Sequence, residues 1–256
     1  MKDLHIHIER GEYTKEWIEK FINKAVEMNL SEINLLEHSI RIREFHPCFK
    51  EACEYSLYQK KWFNGKREQA QSLEHYLNLI EEIKSTNYPV KVNFGLEVCW
   101  FEQHEDLIRE LLDKGNFDYT LGSVHWIDNW TFNQRKYQWL GKNVNSLYRR
   151  YYEMSETLVE SGMFNIIAHP DLIMCHGIYP SYELEDTYKR LCLKAKANGV
   201  AIEMNTSKSL GVNDEFLKIA KDCGVTFSVG SDAHRPEDVG RGVKEVYAKL
   251  KGADIL

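Results

Sequence analysis

Histidines and carboxylates recur in this sequence where short apolar runs end. Asp3-Leu4-His5-Ile6-His7 comes first, then Glu37-His38, Gly95-Leu96-Glu97 and Gly122-Ser123-Val124-His125. Ala168-His169-Pro170-Asp171, Glu203-Met204-Asn205 and Gly230-Ser231-Asp232-Ala233-His234 complete the series. Residues two apart on a strand share a face, so His5 and His7 present a pair of donors to one side, and Asp232 and His234 repeat the spacing. Imidazole and carboxylate without thiolate suit Zn, Mn or Fe at a hydrolytic site better than a Cys-rich structural zinc. The donors outnumber what one ion takes, which predicts two or three divalent transition metal ions. Each has an ordinary reading when taken alone: a strand-end histidine can be simply hydrogen-bonded, Glu97 can cap a helix, and the Gly-Ser-Asp segment can be an N-cap. Their recurrence at run after run favours the metal site.

Such donors need a frame. Apolar runs at 4–8, 33–36, 90–98, 119–126, 165–168, 200–204 and 226–229 predict strands. Between them, amphipathic stretches predict helices: 14–28, one through Leu73, Leu77 and Ile80, one through Leu107 and Leu111 ending at Gly115, one through Leu147, Tyr151 and Leu158, and then 183–197, 214–223 and 239–250. Seven strand–helix units predict a parallel sheet with helices outside, and over 256 residues a closed or nearly closed α/β barrel. The alternative is an open doubly wound sheet, but no GxGxxG follows the first strand and there is no P-loop. In barrel enzymes the carboxyl ends of the strands carry the active site, and the donors fall there. Two connections, 39–72 and 127–143, exceed ordinary βα loops and read as lids or binding loops; both are rich in aromatic and basic residues. Residues 1–256 read as a single domain.

Bulk composition is ordinary for a globular chain, with 43% apolar and 28% charged residues, so function must be read from positions. A net charge of −6 argues against nucleic acid or an anionic membrane as partner, and no run approaches 18 apolar residues. A chain this long needs no metal merely to fold, so a metal site would serve chemistry. The N-terminus lacks an apolar signal core, and six cysteines without a CxxC pair fit reduced thiols, so a cytoplasmic protein is expected. Oligomeric state is left open.

The pieces DLHIH, EH, GLE, GSVH, AHPDL and GSDAH, in this order from residue 3 to residue 234, resemble the PHP (polymerase and histidinol phosphatase) family. GSVHWI, IIAHPDLI, EMNTS and GSDAHRPEDVG look closest to its histidinol-phosphate phosphatase branch. The resemblance implies a distorted (β/α)7 barrel with a trinuclear metal centre. One ion would take His5, His7, Glu97 and Asp232; a second would share Glu97 and add His125 and His169; a third would take His38, His234 and a ligand from the loop after the first strand. Many relatives place histidine or aspartate there, but this chain has Tyr13 where a histidine would fall. Glu9 or Glu12 can substitute, and Glu9 is the preferred ligand.

Divalent ions so held would activate water near neutral pH and clamp a phosphate monoester. The expected activity is a phosphomonoesterase; the resemblance names L-histidinol phosphate as substrate, a step of histidine biosynthesis. Asp232, His234 and Arg41 are expected at the reacting phosphate, with Arg41, Arg43, Arg135 and Lys208 as substrate-binding cations. Asp171 is expected to orient His169 or its loop, and Glu203 and Asn205 to support ligands rather than bind metal. Phe45, Trp62, Trp126, Trp130 and Trp139 can wall the substrate or simply pack beneath the long loops. His46, His75 and His104 read as ordinary, and His176 is not expected to be a ligand. The rivals are a PHP phosphoesterase for another small phosphate ester, a barrel amidohydrolase and a noncatalytic metal-binding module.

Overall fold

The computed structural model describes residues 1–207 and 213–256. Seven parallel strands form one sheet in chain order: β1 (Lys2–His7), β2 (Glu32–His38), β3 (Lys91–Cys99), β4 (Tyr119–Ser123), β7 (Ile166–Ile167), β8 (Ala201–Asn205) and β9 (Phe227–Gly230). β5 (Trp126–Ile127) and β6 (Trp130–Thr131) form a separate antiparallel hairpin. The first strand also meets the chain just after the last. Ile6 bridges Ala233, the His7 N–H donates to the Ala233 carbonyl at 2.7 Å, and the Asp232 N–H donates to the His5 carbonyl at 2.8 Å. The product is a nearly closed barrel of seven parallel strands with helices between, the (β/α)7 architecture the alternation predicts. Pairing is thinnest at β7, which matches each neighbour over only two residues.

Local sequence sets the helix limits. Thr14 caps helix Lys15–Glu27 by accepting the Trp17 N–H, and Ile18, Phe21, Ile22 and Ala25 are buried while Val26 is exposed. Asn29, at φ 54°, turns the chain out of it. Asn213 caps helix Asp214–Cys223, and left-handed Gly224 ends it. The final helix is shorter than the periodicity predicts, Val243–Lys249, because Gly240 and Gly242 hold positive φ before it and Pro236–Asp238 forms only a 3-10 turn. The connection read as a loop over 39–72 is mostly helical: turns Ser39–Arg41 and Arg43–Phe49 lead into helices Lys50–Glu54 and Leu57–Arg67, with Phe45, Phe49 and Phe63 buried. These pieces are too short to show a clear 3.6-residue period. Among the described residues, no helix is long and apolar enough to cross a membrane.

The core has two parts. A large cluster joins the strands to the surrounding helices, and a small one, Leu4, Leu36, Leu121, Ile166, Ala168 and Ala201, contains no helix residue and fills the inside of the barrel. β1 carries one extra residue there, since Asp3 pairs with Ile33 but Ile6 with Leu35. This bulge lets Leu4 join the interior apolar layer while His5 and His7, further along, also face inward.

Gly95 marks the tightest strand contact: a Cβ there would lie 1.7 Å from the Tyr119 carbonyl oxygen of β4. Gly65, inside helix Leu57–Arg67, has nothing within 4 Å of its would-be Cβ. Gly95→Ala should therefore cost about 2–4 kcal/mol of stability. Gly65→Ala should gain about 0.5–1 kcal/mol by removing backbone freedom from the unfolded chain. Urea unfolding followed by circular dichroism checks both signs.

Candidate metal centre

The strand ends and the turns after them bring their donors to one place inside the barrel mouth. Glu97, 1% exposed, lies at the centre. Its Oε2 is 2.8 Å from His38 Nδ1 and 3.3 Å from His7 Nε2; its Oε1 is 2.9 Å from His169 Nε2 and 3.6 Å from His125 Nε2. Asp232 Oδ1 stands 3.6 Å from His5 Nε2, 3.5 Å from His7 Nε2 and 3.3 Å from His234 Nε2. Glu9 Oε1 is 2.8 Å from His234 Nδ1. The His7 ring lies near-parallel to those of His38 and His234, with centroids 3.8 and 4.6 Å away, and those two are 5.7 Å from each other.

Three overlapping triads emerge: His5, His7 and Glu97; Glu97, His125 and His169; and His7, His38 and His234. Within each, the candidate ligand atoms lie within 4.8 Å of one another. The donor chemistry fits divalent cations. Two imidazole nitrogens, His5 Nε2 and His7 Nε2, face each other at 2.9 Å beside two carboxylates, and Glu9 Oε2 is buried with no hydrogen-bond partner. Burying ionised carboxylates is costly unless opposite charge is placed among them, and cations bound between the side chains would supply it.

Supporting residues fix the ligands. Glu203 accepts from His5 Nδ1 at 2.6 Å and from the His169 backbone N–H at 2.7 Å. Asn205 donates to Glu203 at 3.3 Å and to Asp232 Oδ2 at 3.4 Å. His125 Nδ1 lies 3.1 Å from Ser123 Oγ and 3.3 Å from Cys99 Sγ. Such contacts set ring orientation and tautomer. Asp171 has no hydrogen bond to the His169 ring, whose Nδ1 lacks a partner among the described residues. Tyr13 does not enter the cluster; its hydroxyl donates to Glu37 instead. Glu12 is exposed, so of the two acids in that loop the fold brings in Glu9.

Protonation follows from this crowding. Burial would push Glu97 up, but the imidazoles of His125 and His38 hold it well below the usual carboxylate range. Asp232 is likewise lowered: burial would push it up, but His5, His234 and His7 together outweigh burial. Burial and neighbouring His38 push His7 down to about 3, and burial takes His125 to about 4. His234 goes the other way: burial opposes its charge, but Asp232 and Glu9 raise it to about 9.

The expected substrate cations separate. Arg41 is buried, its Nη1 donating to Gln69 at 2.6 Å and its Nε left without a partner, and it lines a cavity of about 180 Å³ that also holds His38 and His125. Arg43 and Arg135 are exposed and do not line it; each lies on a short 3-10 segment or at its edge, directed outward. Lys208 lies outside the described residues. Sequence reasoning missed Lys66, which lines the same cavity four residues after Trp62 on helix Leu57–Arg67. The i, i+4 spacing of that pair was the available signal. Of the aromatics, Trp62 and Trp126 wall the cavity, whereas Phe45, Trp130 and Trp139 are buried in the core. His46 and His104 bond to the Ile40 carbonyl and to Glu51, His75 is exposed, and His176 lies outside the triads.

A family profile described as the PHP domain matches residues 3–207, and one described as PHP-associated matches residues 212–256. This chain belongs to the PHP domain family. Among curated proteins, it is 27% identical over 191 residues to a "Probable histidinol-phosphatase" of Deinococcus radiodurans, covering 70% of this chain and 72% of that protein. It is 24% identical over 257 residues to one from Thermotoga maritima, covering 98% and 91%. Among solved structures, histidinol phosphate phosphatase from Lactococcus lactis, complexed with zinc, L-histidinol and phosphate, superposes with a TM-score of 0.70 at 19% identity over 100% of this chain and 95% of that one. That likeness supports the PHP barrel fold.

Metal bound at His234 would have to displace a proton, because Asp232 and Glu9 raise that ring to about 9. Below that value a proton competes for the ring nitrogen, and above it the nitrogen is free. Zinc or manganese affinity should therefore rise between pH 6 and pH 8, with release at pH 7 of about one proton or more per chain. Calorimetric titration in buffers of different ionisation enthalpy measures this, and loading without proton release would remove His234 from the ligand set.

Proposed function

We propose that residues 1–256 form one barrel domain acting as a metal-dependent phosphomonoesterase, a histidinol-phosphatase of the cytoplasm that converts L-histidinol phosphate to L-histidinol and phosphate. One juxtaposition carries the reading: the imidazole–carboxylate triads open onto a cavity into which Arg41 and Lys66 reach without an acidic partner among the described residues. Cations without a direct ion-pair partner beside a metal centre suit an anionic substrate. The names of the curated relatives support the same substrate.

Two or three divalent ions, zinc, manganese or iron, held by His5, His7, Glu9, His38, Glu97, His125, His169, Asp232 and His234 would supply water activated near neutral pH and offset charge on the transferring phosphoryl group. The chain's own residues do the rest. Glu203 holds the His5 ring through Nδ1, so its Nε2 stays directed at the cluster, and anchors the His169 backbone through its N–H. Arg41, Asp232 and His234 face the reacting phosphate, with the Arg41 guanidinium, steadied by Gln69, binding its free oxygens. Trp62 and Trp126 exclude water from the far wall. The partner is a small phosphorylated metabolite, consistent with a cavity of about 180 Å³.

Purified protein loaded with manganese or zinc should release phosphate from L-histidinol phosphate and lose that activity on chelation. A screen of other small phosphate esters gives the competing outcome: a different ester turned over faster would keep the phosphatase and replace the substrate. His125→Ala should lower kcat at least about 100-fold through loss of a metal ligand. Arg41→Ala should raise KM about tenfold or more, as loss of ground-state phosphate binding does. Intact turnover in His125→Ala, or an unchanged KM in Arg41→Ala, would contradict the respective assignment.

A further inference from the structure

The cavity beside the metal centre is chemically two-sided. From the connection after β2 it receives Ile40, Arg41, Trp62 and Lys66; from the connection after β4 it receives Trp126, Thr131, Asn133 and Gln134. Most of its polar groups are already engaged. The Thr131 hydroxyl donates to Asn133 Oδ1 at 3.1 Å, Cys99 Sγ lies against His125 Nδ1, and Arg41 Nη1 donates to Gln69. Two buried atoms of its lining have no partner: the donor Arg41 Nε and the acceptor Gln134 Oε1.

An unsatisfied buried group costs about 1–3 kcal/mol, so a pair of them on one small cavity describes the ligand that would relieve them. Arg41, with Lys66 in the same lining, calls for an anion. Gln134 calls for a hydrogen-bond donor. Trp62 and Trp126 line the same cavity, edge to face with centroids 5.5 Å apart and with Lys66 Nζ 5.8 Å from the Trp62 ring centre, and offer apolar surface to a planar ring. A cavity of about 180 Å³ has room for a five-membered ring and a short linker, and little more.

We propose that Gln134 is a specificity-determining residue: its side-chain carbonyl accepts the ring N–H of a heteroaromatic leaving group held against Trp62 and Trp126, while Arg41 and Lys66 take the phosphate. This rests on the phosphatase reading and deepens it. It assigns the alcohol side of the substrate to the second long connection, and it divides recognition so that the ring is read by Gln134 and the anion by cations from the first.

The test compares full-length, metal-loaded protein with Gln134→Leu, which keeps the bulk and removes the acceptor, and Gln134→Glu, which restores one. Two readouts are used. The first is the ratio of kcat/KM on L-histidinol phosphate to that on phosphoethanolamine, which has the phosphate and an amine but no ring. Gln134→Leu should lower the ratio about tenfold, and Gln134→Glu should recover most of it. The second is binding of L-histidinol alone, followed by tryptophan fluorescence, which should weaken by a similar factor in Gln134→Leu and return in Gln134→Glu. A ratio and an affinity both unchanged in Gln134→Leu would overturn the proposal, as would equal loss on both esters without rescue by Gln134→Glu. If wild-type protein binds L-histidinol in a Gln134-dependent way yet does not hydrolyse its phosphate, the ring site stands and the histidinol-phosphatase reading falls.

Discussion

Glu97 is the constraint around which the barrel mouth is organised. A carboxylate 1% exposed is costly to keep ionised, and the fold surrounds it with imidazoles drawn from four other segments, His7, His38, His125 and His169. Each comes from a different strand or the turn after it, so the arrangement exists only when the sheet is curled. Gly95, two residues earlier on β3, lets the Tyr119 carbonyl of β4 approach where a Cβ would stand. That approach carries His125, which follows β4, toward Glu97. Backbone packing and site electrostatics thus share one stretch of β3.

The seam between first and last strands does the same for the other half of the cluster. The two backbone hydrogen bonds that nearly close the barrel join His5 to Asp232 and His7 to Ala233, so closure and donor placement are one event. Asp232 and His169 both hold positive φ, 51° and 30°, which L-residues adopt at a cost of about 1–3 kcal/mol. Both are cluster residues at the point where the chain leaves the barrel. Gly230 belongs to the same economy of space: a Cβ there would meet Glu203 Oε1 at 2.3 Å and His5 Cβ at 2.4 Å. Glu203 can reach His5 and the His169 amide because β9 passes without a side chain at that position.

Much of this was legible in the sequence because it is periodic. Seven apolar runs separated by amphipathic stretches give seven parallel strands, and donors at the run ends give a cluster at one barrel mouth. What was illegible depends on tertiary context. The 39–72 connection hides two short helices whose register becomes plain only once Phe49 and Phe63 are seen buried together. Arg41 and Arg43 are both expected from the sequence to bind substrate, yet a 3-10 turn buries the first and the second is left in solvent. Lys66 resembled any surface lysine until the fold set Trp62 of the same helix face against Trp126 of a distant hairpin. The β1 bulge, which allows Leu4 and His5 to serve the same interior, leaves no mark in an alternating pattern.

The division of labour between barrel and connections follows from these differences in legibility. The donors sit where strand pairing fixes backbone position, and precise mutual distances are what a shared carboxylate demands. The groups that meet the rest of a substrate sit on long connections, where a side chain can change without moving a strand. Arg41, Lys66, Trp126 and Gln134 make no strand-to-strand hydrogen bond in the barrel, so replacing one of them need not disturb Glu97 or its imidazoles. A scaffold built this way can keep one hydrolytic centre and alter what it admits, and for that reason the connections after β2 and β4, rather than the metal-facing residues, hold the information about which ester enters.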